Sequence, residues 1–171
     1  LLRLVGAIAR ELGDQEKRAK AFVRAAEKES DDGQIVVDAD DAIVASQNPA
    51  YLERLNKRAG NFRRTEALRA VAAKALEGGV PSEAVRRLER ASEIAAPEQR
   101  PEVARELSEA LVKAGRGEDA VLRELGRDDI SKTERAQRWV ELAKVRQERG
   151  DAAGAADALF QAATEEPTAE R

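Results

Sequence analysis

Residues 136–167 read AQRWVELAKVRQERGDAAGAADALFQAATEEP. Trp139, Leu142 and Ala143 recur at the spacing of one helix face, and Ala155, Leu159 and Ala162 repeat that spacing further on. Gly150 lies between the two sets and ends the first helix, because glycine enters the left-handed C-terminal conformation without steric cost. Asp151 follows as the N-cap of the second helix. Pro167 forbids that helix from continuing. Two antiparallel helices approach closely only where small side chains face each other, and Ala143 and Ala155 supply that contact. The reading therefore is a helical hairpin with Trp139 mostly buried. One hairpin cannot bury its own apolar face, so it predicts neighbours of the same kind.

The neighbours are present. Turn glycines recur at Gly13, Gly79, Gly115 and Gly150, spaced by 66, 36 and 35 residues. The longest step is twice 33, which leaves room for one unit without a glycine at its turn. The small residue of the second helix recurs as Ala155, Ala120 and Ala84, and becomes Arg18, with Ala19 beside it, near the start. The later bulky residue recurs as Leu159, Leu88 and Phe22, and the later small one as Ala162, Ala91 and Ala25. In the unit at 101–135, Glu124 and Arg127 stand at those two places, so Leu122 and Leu125 are expected to carry the apolar face.

The order Trp139, Leu142, Ala155, Ala162, Pro167 resembles a tetratricopeptide repeat (TPR). Ala143, Arg146 and Leu159 stand where that pattern usually has Gly, Tyr and Phe. The resemblance implies an all-α, right-handed α-solenoid of about ten stacked helices with no sheet. Its units are 1–32, 33–64 (degenerate), 65–100, 101–135 and 136–169, within a single array over 1–171.

Composition agrees with a helix-rich chain. The protein is 37% charged and 3% aromatic, with formal net charge −3. That balance argues against a nucleic-acid surface. No apolar run approaches the roughly 20 residues of a membrane span. There is no cysteine and no histidine. Zinc sites, disulfides, cysteine nucleophiles and histidine bases are excluded, and no cofactor is expected. The compartment stays open, since a reduced cytosol and a disulfide-free periplasm both permit this usage.

In chain order, 1–12 reads as a helix with Leu1, Leu4, Val5, Ile8 and Leu12 on one side, followed by a partner helix from Gln15 to about Ser30 with Phe22, Ala25 and Ala26 inward. Asp31-Asp32-Gly33 ends the unit. Ile35-Val36-Val37 has strand propensity, but its place in the array favours helix over 34–46. Asn48-Pro49 is an N-cap with proline at the first helical position, and Leu52, Leu55 and Ala59 point inward after it. Helices follow over 64–77, from Pro81 to Pro97, from about Pro101, over 118–125, and through the final hairpin. All five prolines fall at helix edges.

Catalysis is hard to build from this inventory, and the chain is read as no enzyme. Ser82 and Ser108 have no histidine partner and read as structural. Asp38, Asp40 and Asp41 invite a calcium reading, but the glycine an EF-hand loop needs falls on Ile43; they read as solvated carboxylates. A run of acids over 27–41 is followed by a run of bases: Arg54, Lys57, Arg58, Arg63 and Arg64. Pairing between adjacent helices is the plainer reading of these runs, and a steering patch for a charged partner is the functional one.

In the family this chain resembles, first helices line a concave surface that binds peptides or protein segments. By register the groove-facing residues are Arg3, Ala7 and Arg10; Glu66, Arg69, Ala73 and Leu76; Glu102, Arg105, Glu109 and Lys113; Gln137, Val140, Lys144 and Gln147. Arg69, Arg105 and Lys144 are the expected polar anchors. The resemblance thus implies a protein-interaction scaffold with a protein or peptide partner, with no nucleic acid and no membrane insertion. A structural spacer, or a regulatory arm of an enzyme domain elsewhere, are the alternatives. The chain has no methionine and starts in the middle of a first helix, so it is expected to be cut from a longer array. Part of Ala155, Ala158 and Leu159 is then expected to be exposed on the last helix, with end-to-end self-association as the consequence.

Overall fold

The computed structural model describes residues 1–29 and 32–165, which contain ten α-helices and no strand. They are α1 (Leu2–Glu11), α2 (Gln15–Lys28), α3 (Gly33–Ser46), α4 (Pro49–Arg58), α5 (Asn61–Glu77), α6 (Pro81–Ile94), α7 (Arg100–Lys113), α8 (Gly117–Leu125), α9 (Lys132–Glu148) and α10 (Ala152–Glu165). Asp31, Pro167 and 168–171, on which turn, stop and end readings fell, lie outside the described residues.

The helix ends follow from local chemistry. Asp14 accepts the Lys17 amide at 2.9 Å, and Asp32 accepts those of Gln34 and Ile35 at 3.0 and 3.2 Å. Asn48 accepts the Ala50 amide with Pro49 in the first turn. Ser131 and Glu134 form a reciprocal capping box, and Asp151 accepts the Gly154 amide. Gly13, Gly79, Gly115 and Gly150 all take φ between +70° and +81°. The unit without a turn glycine places Gln47 there instead, at φ +53°. The chain tolerates a side chain at that point because only one residue enters the left-handed region.

Packing divides the chain into two compact units, the first running from Leu1 to Glu106 and the second from Leu107 onward. In the first unit α3 is the central helix, packed against α2, α4 and α5. Ile35, Val36, Val37, Ala39, Ala42 and Ile43 are all buried, so α3 packs over most of its circumference, while Gln34 and Val44 are exposed on its open side. This settles the strand-prone Ile35-Val36-Val37 as helix: Asp32 caps it and tertiary burial overrides propensity. Phe22, Val23, Ala26, Leu55 and Leu68 complete the core. In the second unit Leu142, Ala143, Ala155, Ala158 and Val121 form the core of α8, α9 and α10.

Four expectations need correction. The apolar side of α1 is its outer side: Leu4 is 59% and Ile8 50% exposed, while Leu2, Gly6 and Ala9 meet α2. Phe22 decides this, because its ring lies where a Cβ on Gly6 would be, 2.6 Å from Cε2. On α10, Ala155 and Ala158 are buried and Leu159 is 51% exposed. Ala155, Ala158 and Ala162 form the packed face of α10, and the helical register leaves Leu159 at its edge. On α8, Val121 is buried and Leu122 exposed, since Val121 and Leu125 sit four apart on the packed face. Trp139 is half-buried beside that core.

Candidate functional site

The groove-facing residues divide between the two compact units. Arg69, on α5, forks onto Glu106 at 2.9 and 2.8 Å and reaches Glu102 at 2.8 Å. The Glu106 hydrogen bonds push its pKa further up against the opposing effect of burial. Arg69 is thereby tied to α7 and is not a free anchor. Arg105 and Glu109 are exposed on α7, and each has an interaction of its own. Lys113 is exposed in the last turn of α7.

Val140, Lys144 and Gln147 lie on the exposed side of α9. Gln137, Val140 and Lys144, with Ala136 and Glu141, line a hollow of about 710 Å³ whose other wall is Ala162 and Ala163 of α10. It combines small apolar side chains with one cation and one carboxylate. That is a lining suited to a side chain of a docked segment.

Two bases of the basic run, Arg54 and Arg64, pair with acids of the 27–41 run across helices. Arg54 forks onto Glu27 at 2.9 and 2.8 Å. Arg64 pairs with Asp40 in the core, where the two are 2% and 1% exposed. Lys57 pairs with Glu53 on its own helix, Arg63 has an interaction of its own, and the Arg58 side chain lies outside the described residues. Asp40 is thus not a solvated carboxylate. Arg90 Nε donates to it at 2.8 Å, and Arg64 Nη1 donates to Asn56 Oδ1 at 2.9 Å. Burial raises the Asp40 carboxyl, but the Arg90 hydrogen bond and the Arg64 charge outweigh it and hold it below the usual range. A charge at this position is retained because each oxygen has an arginine partner.

Of the two serines, Ser82 is exposed in the first turn of α6, and Ser108 donates to Glu124 at 3.2 Å. Among the described residues no set of three carboxylate, histidine or cysteine side chains converges to hold a metal, and no helix is long and apolar enough to cross a membrane.

The structure also brings together groups the sequence did not mark. Tyr51 donates to Glu16 at 2.7 Å, and Asn48 Nδ2 joins it at 3.3 Å, tying α4 to α2. Arg146, in the place the TPR pattern gives to Tyr, donates to Glu118 at 2.9 Å and to the Gly154 carbonyl at 3.1 Å. It links α8, α9 and α10, and its departure from the pattern was the available signal. Arg3, Ala7 and Arg10, expected on the groove, line a separate hollow of about 470 Å³ in the first unit. Its remaining walls come from α2, α3 and α6, so a second helix faces it where a first helix was expected.

No family model and no curated protein matches this chain. Among solved structures it is similar to a crystal structure of MamA, at 12% identity and a TM-score of 0.40, over 95% of each chain. The helix-hairpin architecture itself fits a TPR-like repeat.

Proposed function

We propose that this chain is a protein-interaction scaffold that docks a protein segment and performs no chemistry on it. The observation that carries the reading is the hollow between α9 and α10, where exposed Val140 and Lys144 stand beside Ala162 and Ala163. Those residues were placed on a partner-facing side by register, and one depression gathers three of that set. An aliphatic side chain fits against Val140 and the alanines, and a carboxylate fits Lys144, the combination that peptide-binding helical grooves use. With Arg69 bound to Glu106 and Glu102, Lys144 is the better anchor of the two.

The test is a peptide array probed with the 171-residue protein, followed by amide hydrogen exchange with the best peptide. Protection should gather on α9 and α10. Val140→Asp and Lys144→Glu should each weaken binding about tenfold or more, the loss expected when a charge is misplaced in a docking site. Peptides that leave exchange at α9 and α10 unchanged would remove the assignment. Failure to recover any binding peptide would favour a spacer.

A further inference from the structure

The hollow in the first unit differs from the one on α9 in chemistry. Five arginines line it, Arg3, Arg10, Arg18, Arg86 and Arg87, against two aspartates, Asp38 and Asp41. The chain as a whole is negative, at −3, so this concentration of guanidinium groups is local. Three of the five are committed. Arg3 pairs with Glu29 and Asp32, Arg86 with Glu83, and Arg87 with both Asp41 and Glu83.

Arg10 and Arg18 are different. The carboxylate near Arg10 is its sequence neighbour Glu11, at 3.9 Å, beyond hydrogen-bond range. Arg18 donates Nη1 to Gln15 at 3.3 Å, while its Nε is buried with no hydrogen-bond partner. The hydrogen-bond partner of the Arg18 Nη1 is thus an amide oxygen, and a docked carboxylate would supply a stronger, charge-assisted one at the Nη groups. These two arginines stand on the two helices of one hairpin and line the same hollow. A second hollow of about 360 Å³ shares Arg18, Asp41, Arg86 and Arg87 and continues to Val44, whose side chain is exposed on α3.

From this geometry we infer that the first unit carries its own docking site for an extended acidic protein segment, with Arg10 and Arg18 receiving a carboxylate and Val44 an aliphatic side chain further along. The inference rests on the scaffold reading but not on the α9 hollow. A protein segment fits better than a nucleic acid, because Asp38 and Asp41 on the walls would repel a continuous line of phosphates. They accept a segment whose carboxylates are spaced by neutral or basic residues.

The experiment is a fluorescence anisotropy titration of a labelled peptide built from Asp-Leu-Glu-Ser repeats, beside its Asn-Leu-Gln-Ser counterpart. The acidic peptide should bind and weaken as salt rises, with the amide version about tenfold weaker or more. Arg10→Glu and Arg18→Gln should each reduce binding about tenfold. Arg10 is largely exposed, so its reversal tests the site without threatening the fold. Equal binding of both peptides, or affinity unmoved by the two substitutions, would overturn the inference. Loss of binding in Lys144→Glu alone would move the site to α9, leaving the scaffold reading intact and this one refuted. Tighter binding of a single-stranded DNA oligonucleotide, lost in the same two variants, would replace the acidic segment by a nucleic acid.

Discussion

Phe22 sits over Gly6 so closely that the hairpin of α1 and α2 depends on a missing methyl group. Helix propensity alone would make Gly6→Ala favourable by roughly 1 kcal/mol. Here the added Cβ meets a ring that is itself buried and has little room to move. Overpacking of this kind costs about 1–3 kcal/mol, so Gly6→Ala should lower the unfolding free energy in urea titration. Unchanged or increased stability would show that the ring can give way. The opposite sign is expected at Gln47, which alone among non-glycine residues described takes positive φ. Gln47→Gly relieves a left-handed strain of about 1–2 kcal/mol and adds an unfolded-chain entropy cost of about 0.5–1 kcal/mol, so a net gain of about 0.7 kcal/mol, within a range of about 0–1.5, should appear in the same assay.

At the scale of elements, α9 and α10 meet through alanines, and this sets which large residues matter. Leu142 is fully buried against α10, whereas Leu159 stands half in solvent. Leu142→Ala should cost about 2–5 kcal/mol, and Leu159→Ala less than about 1 kcal/mol. Equal costs would mean that the hairpin packs by the stripe the sequence suggested. That comparison shows where legibility stopped. Turn glycines, N-caps and prolines announce themselves locally, so all ten helices were readable, including α3 against its strand-like start. Facing was harder, because Leu1, Leu4, Val5, Ile8 and Leu12 form a good apolar stripe that α1 turns outward. Periodicity identifies a face but not whether a neighbour covers it, and small residues such as Gly6, Ala9 and Ala158 made the real contacts. At the candidate site, register put Gln137, Val140 and Lys144 on one side of a helix, and the three line one hollow. It did not foresee the tie from Arg69 to Glu106, since the partner is 37 residues away.

For the molecule as a whole, the missing histidines and cysteines have a thermodynamic consequence. Histidine is the side chain whose ordinary pKa lies between pH 5 and 8, and this chain has none. Its stability should therefore be nearly flat across that range. Acid is another matter. Asp40 is held low by Arg90 and Arg64 despite burial, Glu83 by Arg86 and Arg87, and Asp32 by Arg3 and the amides it caps. A carboxyl whose pKa is lower in the folded state adds stability that is present above its unfolded value, near pH 4, and lost as pH falls through the folded value. Melting temperature, followed by helical circular dichroism, should stay level from about pH 8 to 5 and drop steeply below about pH 4. Asp40→Asn supplies the internal check. It leaves Arg64 buried beside an amide, so it should cost about 3–5 kcal/mol at neutral pH. The variant should then fall less steeply in acid than the parent, because one of the titrating carboxylates is gone. A parallel drop in both proteins would show that the Asp40 cluster does not set the acid limit, and that the half-exposed pairs around it do.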